Sequence, residues 1–123
     1  EKNGLYLAQY NNGDPQVISY FAYFHDCMRI NEYIDDGHGI RGGRYALKNK
    51  DLLNLNDDQL DTLYRACAGH TVGKNPSCDT IGCCWDADRL DIRRVGIVPE
   101  EQFFYTDEAR DMVANQDYSP IDN

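Results

Sequence analysis

Residues 80–95 read TIGCCWDADRLDIRRV, and their apolar positions recur with the period of an α-helix rather than with the alternation of a strand. At about 100° per residue, Ile81, Cys84, Trp85, Asp88, Ile92 and Val95 fall along one face. Asp86 points about 160° away from Asp88 on the same wheel. Asp88 is therefore expected as the buried acid, which needs a partner such as a shared cation. Asp86 and Asp91 are expected to face solvent, to complement the helix dipole or to pair with arginine.

The segments on either side also carry helix signals. Residues 4–11 (GLYLAQYN) read as the last turns of a helix that Asn12-Gly13 ends. Asp14 is a natural N-cap, with Pro15 in the first helical position of a helix running to about Arg29. Val17, Ile18, Phe21, Phe24 and Met28 form its apolar stripe, and Cys27 and Cys67 read as small buried hydrophobes. A polar stretch over residues 31–37 precedes a helix from about His38 to Lys48. Asn56-Asp57 caps another, in which Leu60, Leu63, Tyr64 and Cys67 recur at i, i+3, i+4 and i+7, with His70 at its end. Residues 71–78 read as a loop, 96–99 as a turn, and Thr106-Asp107-Glu108 as the cap of a last helix through Val113. Phe103-Phe104-Tyr105 is expected to cover the core, and the tail from Asp117 to fray. The fold class is all-α, in a single domain.

Composition narrows the function. A net charge of −9 and a pI near 4.6 give no basic stripe able to displace counterions from a nucleic-acid backbone, and they disfavour an anionic membrane surface. No apolar run approaches the roughly 20 residues needed to span a bilayer, and no signal-peptide pattern is present. The five cysteines are odd in number and lack a CxxC pair, which argues against a disulfide framework. The spacing of Cys78, Cys83 and Cys84 fits no zinc pattern. Reduced thiols point to a cytoplasmic compartment.

The chain has only three histidines, and each stands beside another polar or acidic group at a helix position or end. His25-Asp26 lies within an apolar helical pattern, where an ionised carboxylate is costly unless a cation or hydrogen bonds compensate it. Imidazole and carboxylate together suit Mn²⁺, Fe²⁺, Mg²⁺ or Zn²⁺. Taken alone, the dipeptide reads rather as a satisfied polar pair with its histidine hydrogen-bonded to a backbone carbonyl.

The order HD, then a helix opening HGIRGG, then AGHT at a helix end, then DADRLD resembles the HD-domain superfamily of metal-dependent phosphohydrolases over residues 24–98. It is similar in particular to small bacterial HD-domain proteins carrying HDxxRxNE, HGxRG and CWDADRLDxxRVG. The resemblance implies an HD-domain-like helical bundle in which His25 and Asp26 are central metal ligands, Asp26 is able to bridge two ions, and Asp88 is the closing aspartate. It assigns His38 and His70 to a second metal. The superfamily's first ligand is a histidine on the preceding helix, and none occurs before His25; it is expected upstream of Glu1, because residues 4–11 open within a helical pattern without a cap, the alternative being that this ligand has been lost.

The activity implied is hydrolysis of a nucleotide or other small phosphoester by water activated on one or two divalent ions (Mn, Fe, Mg, Co or Zn). Asp26 would act in catalysis, and Arg29 and Arg41 would either reach the phosphate or form surface ion pairs. Asn31, Glu32 and Thr71 would orient ligands or a metal-bound water. The partners expected are a small phosphorylated substrate and, as an open option, a second copy of the chain, with no nucleic-acid polymer and no membrane. Two other readings stay open: a di-iron HD-type oxygenase, and a non-catalytic metal-containing binding or sensor module.

Overall fold

The polar residues expected to start helices do so by taking up the first unpaired amides. The structure is a computed structural model and describes residues 1–28, 37–71, 73 and 75–122. Arg29, Asn31 and Glu32, singled out above, lie outside the described residues. After α1 (Lys2–Ala8), the Asp14 carboxylate accepts from the Gln16 amide and Pro15 opens α2 (Pro15–Phe24). Next come α3 (His38–Lys48) and the single turn α4 (Lys50–Leu53), which ends at Asn54 in the left-handed region with φ 56°. Asn56 and Gln59 form a reciprocal capping box at the start of α5 (Asp57–Gly69). Then follow α6 (Asp79–Leu90), a 3₁₀ segment (Asp91–Val95), a short 3₁₀ turn (Glu101–Phe103), α7 (Asp107–Asn115) and α8 (Ser119–Asp122). Among the described residues the chain is all-helical and has no strand. None of these helices is long and apolar enough to cross a membrane.

The central element is α6, against which α1, α2 and α5 all pack, while α3 lies along α5. Leu7, Val17, Ile18, Leu63, Cys67 and Leu90, each no more than 1% exposed, form the heart of one hydrophobic cluster. Burying a side chain of this size stabilises the fold by about 1.5–3 kcal/mol relative to leaving it in water.

Four expectations need correction. The α2 helix ends at Phe24, and the chain turns through residues 25–28, so Cys27 and Met28 are exposed instead of continuing the buried stripe. Past Leu90 the helix tightens to 3₁₀ geometry, which changes the angle per residue and leaves Val95 70% exposed instead of aligned with Ile81. The aromatic run covers the core more narrowly than expected, with Phe104 buried between exposed Phe103 and Tyr105. The tail does not fray: Ile121 is buried, and both terminal nitrogens of Arg93 bond the Asp122 carboxylate at 2.9 and 3.0 Å. The Arg93 guanidinium also lies 3.9 Å from the centre of the Tyr118 ring.

Candidate metal centre

Two histidines at helix ends have their rings fixed by the backbone. His25 follows the last residue of α2, and its Nδ1 donates to the Phe21 carbonyl at 2.8 Å. Its ring stacks on that of Phe21, with centroids 4.6 Å apart and planes 14° from parallel. His70 follows α5 in the same way, with Nδ1 donating to the Cys67 carbonyl at 2.7 Å. A carbonyl can only accept, so each Nδ1 carries a proton and each Nε2 is turned to the site. His38, the first residue of α3, brings a third imidazole. Both His38 and His70 are buried.

These rings converge on Asp26, which sits in the turn after α2. The Oδ1 atom of Asp26 is 3.0 Å from His38 Nε2 and 3.6 Å from His70 Nε2, and the two Nε2 atoms are 2.9 Å apart. Its other oxygen, Oδ2, is 3.4 Å from His25 Nε2, which is itself 3.3 Å from Asp88 Oδ1. The carboxylate therefore joins two sets of donors, one with His38 and His70 and one with His25 and Asp88. Asp26, His38 and His70 each offer a ligand atom within 4.8 Å of the others, the one such cluster among the described residues.

The chemistry of this donor set fits a divalent cation. Two imidazole nitrogens 2.9 Å apart repel unless a proton or a cation lies between their lone pairs. The Asp26 carboxyl is held down to about 2 chiefly by His70, against the upward pull of burial, and further by the charges of His25, His70 and His38. It is ionised at neutral pH. Burial pushes the His25 pKa down, but the hydrogen bond and charge of Asp88, the charge of Asp26 and the Phe21 carbonyl outweigh it, so the net shift is upward. A cation bound there competes with a proton for His25 Nε2.

Close helix approach assembles these groups. A Cβ on Gly42 of α3 would lie 2.1 Å from the Phe24 carbonyl oxygen, so only glycine lets α3 reach the end of α2. Arg41, one residue earlier, sends Nε and Nη2 to the Met28 carbonyl at 3.3 and 3.1 Å. That contact ties the turn bearing Asp26 to α3. The Met28 carbonyl was not anticipated as its partner, since backbone acceptors leave no mark in side-chain spacing. Beside His25 and Asp88 a cavity of about 280 Å³ opens between α1, α2 and α6, lined also by Gly4, Ile18, Phe21 and Ala22.

The assignment of the two α6 acids is reversed in burial. Asp86 is fully buried, whereas the Asp88 side chain keeps 28% of its exposure and faces His25. The Asp86 carboxylate accepts from the Tyr105 amide at 2.9 Å, and from the Thr106 amide and hydroxyl, each at 2.7 Å. Burial pushes its pKa up, opposed by those three donors and by Arg89. The helical wheel assumed one buried face, but residues 80–86 of α6 are covered all round, and residues 104–106 close over the side presumed to be solvent. Only that crossing distinguishes the acid that supports the fold from the acid that joins the site.

The cysteines stand apart from this centre. Burial pushes the Cys67 thiol up to about 12 and the Cys83 thiol up to about 11, so both are protonated at neutral pH. Thr71, next to His70, is exposed and lines a separate cleft with Arg89, Phe103 and Phe104. Comparison with protein-family models, curated proteins and solved structures found no match for the chain.

Proposed function

We propose that this chain is a metal-dependent phosphohydrolase whose centre is built on Asp26, with His38 and His70 on one side and His25 and Asp88 on the other. The observation that carries the reading is the single carboxylate facing imidazole nitrogens with both oxygens, at 3.0 and 3.4 Å. A divalent ion held there would polarise a phosphoryl oxygen and acidify a water molecule at neutral pH.

The chain's own residues supply the rest. His25 and His70 are held in one tautomer by the Phe21 and Cys67 carbonyls, so their Nε2 atoms stay aimed at the site. Asp26 keeps 45% of its side-chain exposure, which leaves it open to solvent. The cavity of about 280 Å³ beside His25 and Asp88 is sized for part of a small molecule and favours a small phosphoester over a polymer. The acidity of the chain works against an anionic substrate, so bound cations must provide the attraction.

The test is elemental analysis of the purified protein followed by a phosphatase screen on small phosphomonoesters with Mn²⁺, Co²⁺, Mg²⁺, Zn²⁺ and Fe²⁺. Stoichiometric metal and turnover that both disappear in Asp26→Ala are expected. Bound iron with a mixed-valence signal and no phosphatase activity moves the assignment to an oxygenase. Retention of metal without either activity moves it to a binding module.

A further inference from the structure

We propose that Gly39 is a positioning residue for this metal centre: its missing side chain leaves room for the Cys67 carbonyl to hold His70 in the metal-accepting tautomer. The inference rests on the metal-centre reading above.

A Cβ built on Gly39 would lie 2.3 Å from the Cys67 carbonyl oxygen and 3.0 and 3.2 Å from His70 Nδ1 and Cε1. The first distance is far inside van der Waals contact, and its partner is backbone, which cannot rotate away. That same oxygen accepts the 2.7 Å hydrogen bond from His70 Nδ1. A methyl group on Gly39 must therefore displace either the acceptor or the imidazole. In both cases the constraint that keeps the proton on Nδ1 and the lone pair on Nε2 is lost. The His38 Nε2 to His70 Nε2 distance of 2.9 Å changes too, because His38 is the residue just before Gly39 on the same helix.

Gly43 provides the matched comparison. It lies in the same α3–α5 contact, and a Cβ there would come 2.9 Å from the Tyr64 ring and 3.2 Å from the Tyr64 carbonyl. Its three nearest neighbours are all atoms of Tyr64, whereas those of Gly39 are the Cys67 carbonyl oxygen and the His70 ring. Substitution at Gly43 strains the packing of the two helices, whereas substitution at Gly39 strains the packing and the ligand together.

The experiment compares wild-type protein, Gly39→Ala and Gly43→Ala by melting temperature, by Zn²⁺ dissociation constant from competition with a chelator, and by ¹⁵N spectra of the histidine rings without metal. The wild type and Gly43→Ala are expected to show His70 protonated on Nδ1. Gly39→Ala should lose that signature and bind Zn²⁺ at least tenfold more weakly than Gly43→Ala, in the range that loss of a ligand-orienting hydrogen bond produces. Equal Zn²⁺ affinity in the two variants, or an unchanged His70 signature in Gly39→Ala, overturns the proposal. If Gly39→Ala does not fold, the wild type still decides, since His70 lacking a proton on Nδ1 in the metal-free protein refutes it. Absence of Zn²⁺ binding by the wild type sinks the metal-centre reading instead, and the ring spectra then judge the role of Gly39 independently.

Discussion

Replacing Asp86 should cost folding stability and spare the candidate metal centre, whereas replacing Asp88 should do the reverse. Asp86 is fully buried and accepts hydrogen bonds from two backbone amides and one hydroxyl. In Asp86→Ala the Thr106 hydroxyl still accepts from the Ala109 amide but loses the acceptor for its own proton, and the amides of Tyr105 and Thr106 lose theirs. Each orphaned buried amide costs about 1–3 kcal/mol, and the cavity left by the carboxylate adds to that. Relief from burying a charge offsets part of it, because burial disfavours the ionised form of Asp86. A net loss of about 4 kcal/mol follows, equivalent to about 10–20 °C in melting temperature for a chain of this size. Asp86→Asn should lose less, since one oxygen still serves Thr106 while the amide nitrogen opposes the Tyr105 N–H. Asp88→Ala should shift melting by only a few degrees but weaken binding at the set that includes His25. Thermal melts in chelator, followed by metal analysis of each refolded variant, make the measurement. If Asp86→Ala melts within about 3 °C of the wild type, or Asp88→Ala loses as much stability as Asp86→Ala, the division of labour is refuted.

Two further outcomes test the site. Arg41→Ala should weaken metal binding by about fivefold, because the bonds to the Met28 carbonyl hold the turn carrying Asp26 and a partly exposed interaction of this kind is worth about 1 kcal/mol; a raised KM for phosphoester with metal affinity unchanged would instead assign Arg41 to the substrate. For the metal-free protein, the raised His25 pKa contributes stability that is complete below the ordinary imidazole value of 6.5 and is lost as pH rises through the raised value. Urea midpoints should therefore fall as pH rises above about 6.5, and Asp88→Asn should flatten that slope. The lowered Asp26 pKa acts at the other end, with a contribution present above 3.8 and lost as pH falls through about 2. Screening at this half-exposed group limits it to about 1 kcal/mol.

The fold class and most helix starts are legible in the sequence because caps and periodicity are local. Asp14 with Pro15, Asn56 with Gln59, and Thr106 with the Ala109 amide all act within a few residues of themselves. The site is legible in part, since histidines are rare in this chain and each marks a helix end or start. Of the five residues expected as ligands, the structure gathers Asp26, His38 and His70 into one cluster able to hold a metal ion and sets His25 and Asp88 beside it.

What depends on residues distant in the chain was decided by tertiary structure alone. Where α2 ends is one case: the helix stops at Phe24, and Asp26 in the turn that follows meets His38 and His70. The choice between Asp86 and Asp88 is another. A helical wheel counts angles within one helix, but burial depends on what crosses it, and residues 104–106 cross the side on which Asp86 lies. The carbonyls of Phe21, Cys67 and Met28 complete the set. Every residue has such a carbonyl, so the sequence by itself shows which side chains can bind a cation, and only the packing of α2, α3 and α5 determines which backbone atoms aim them.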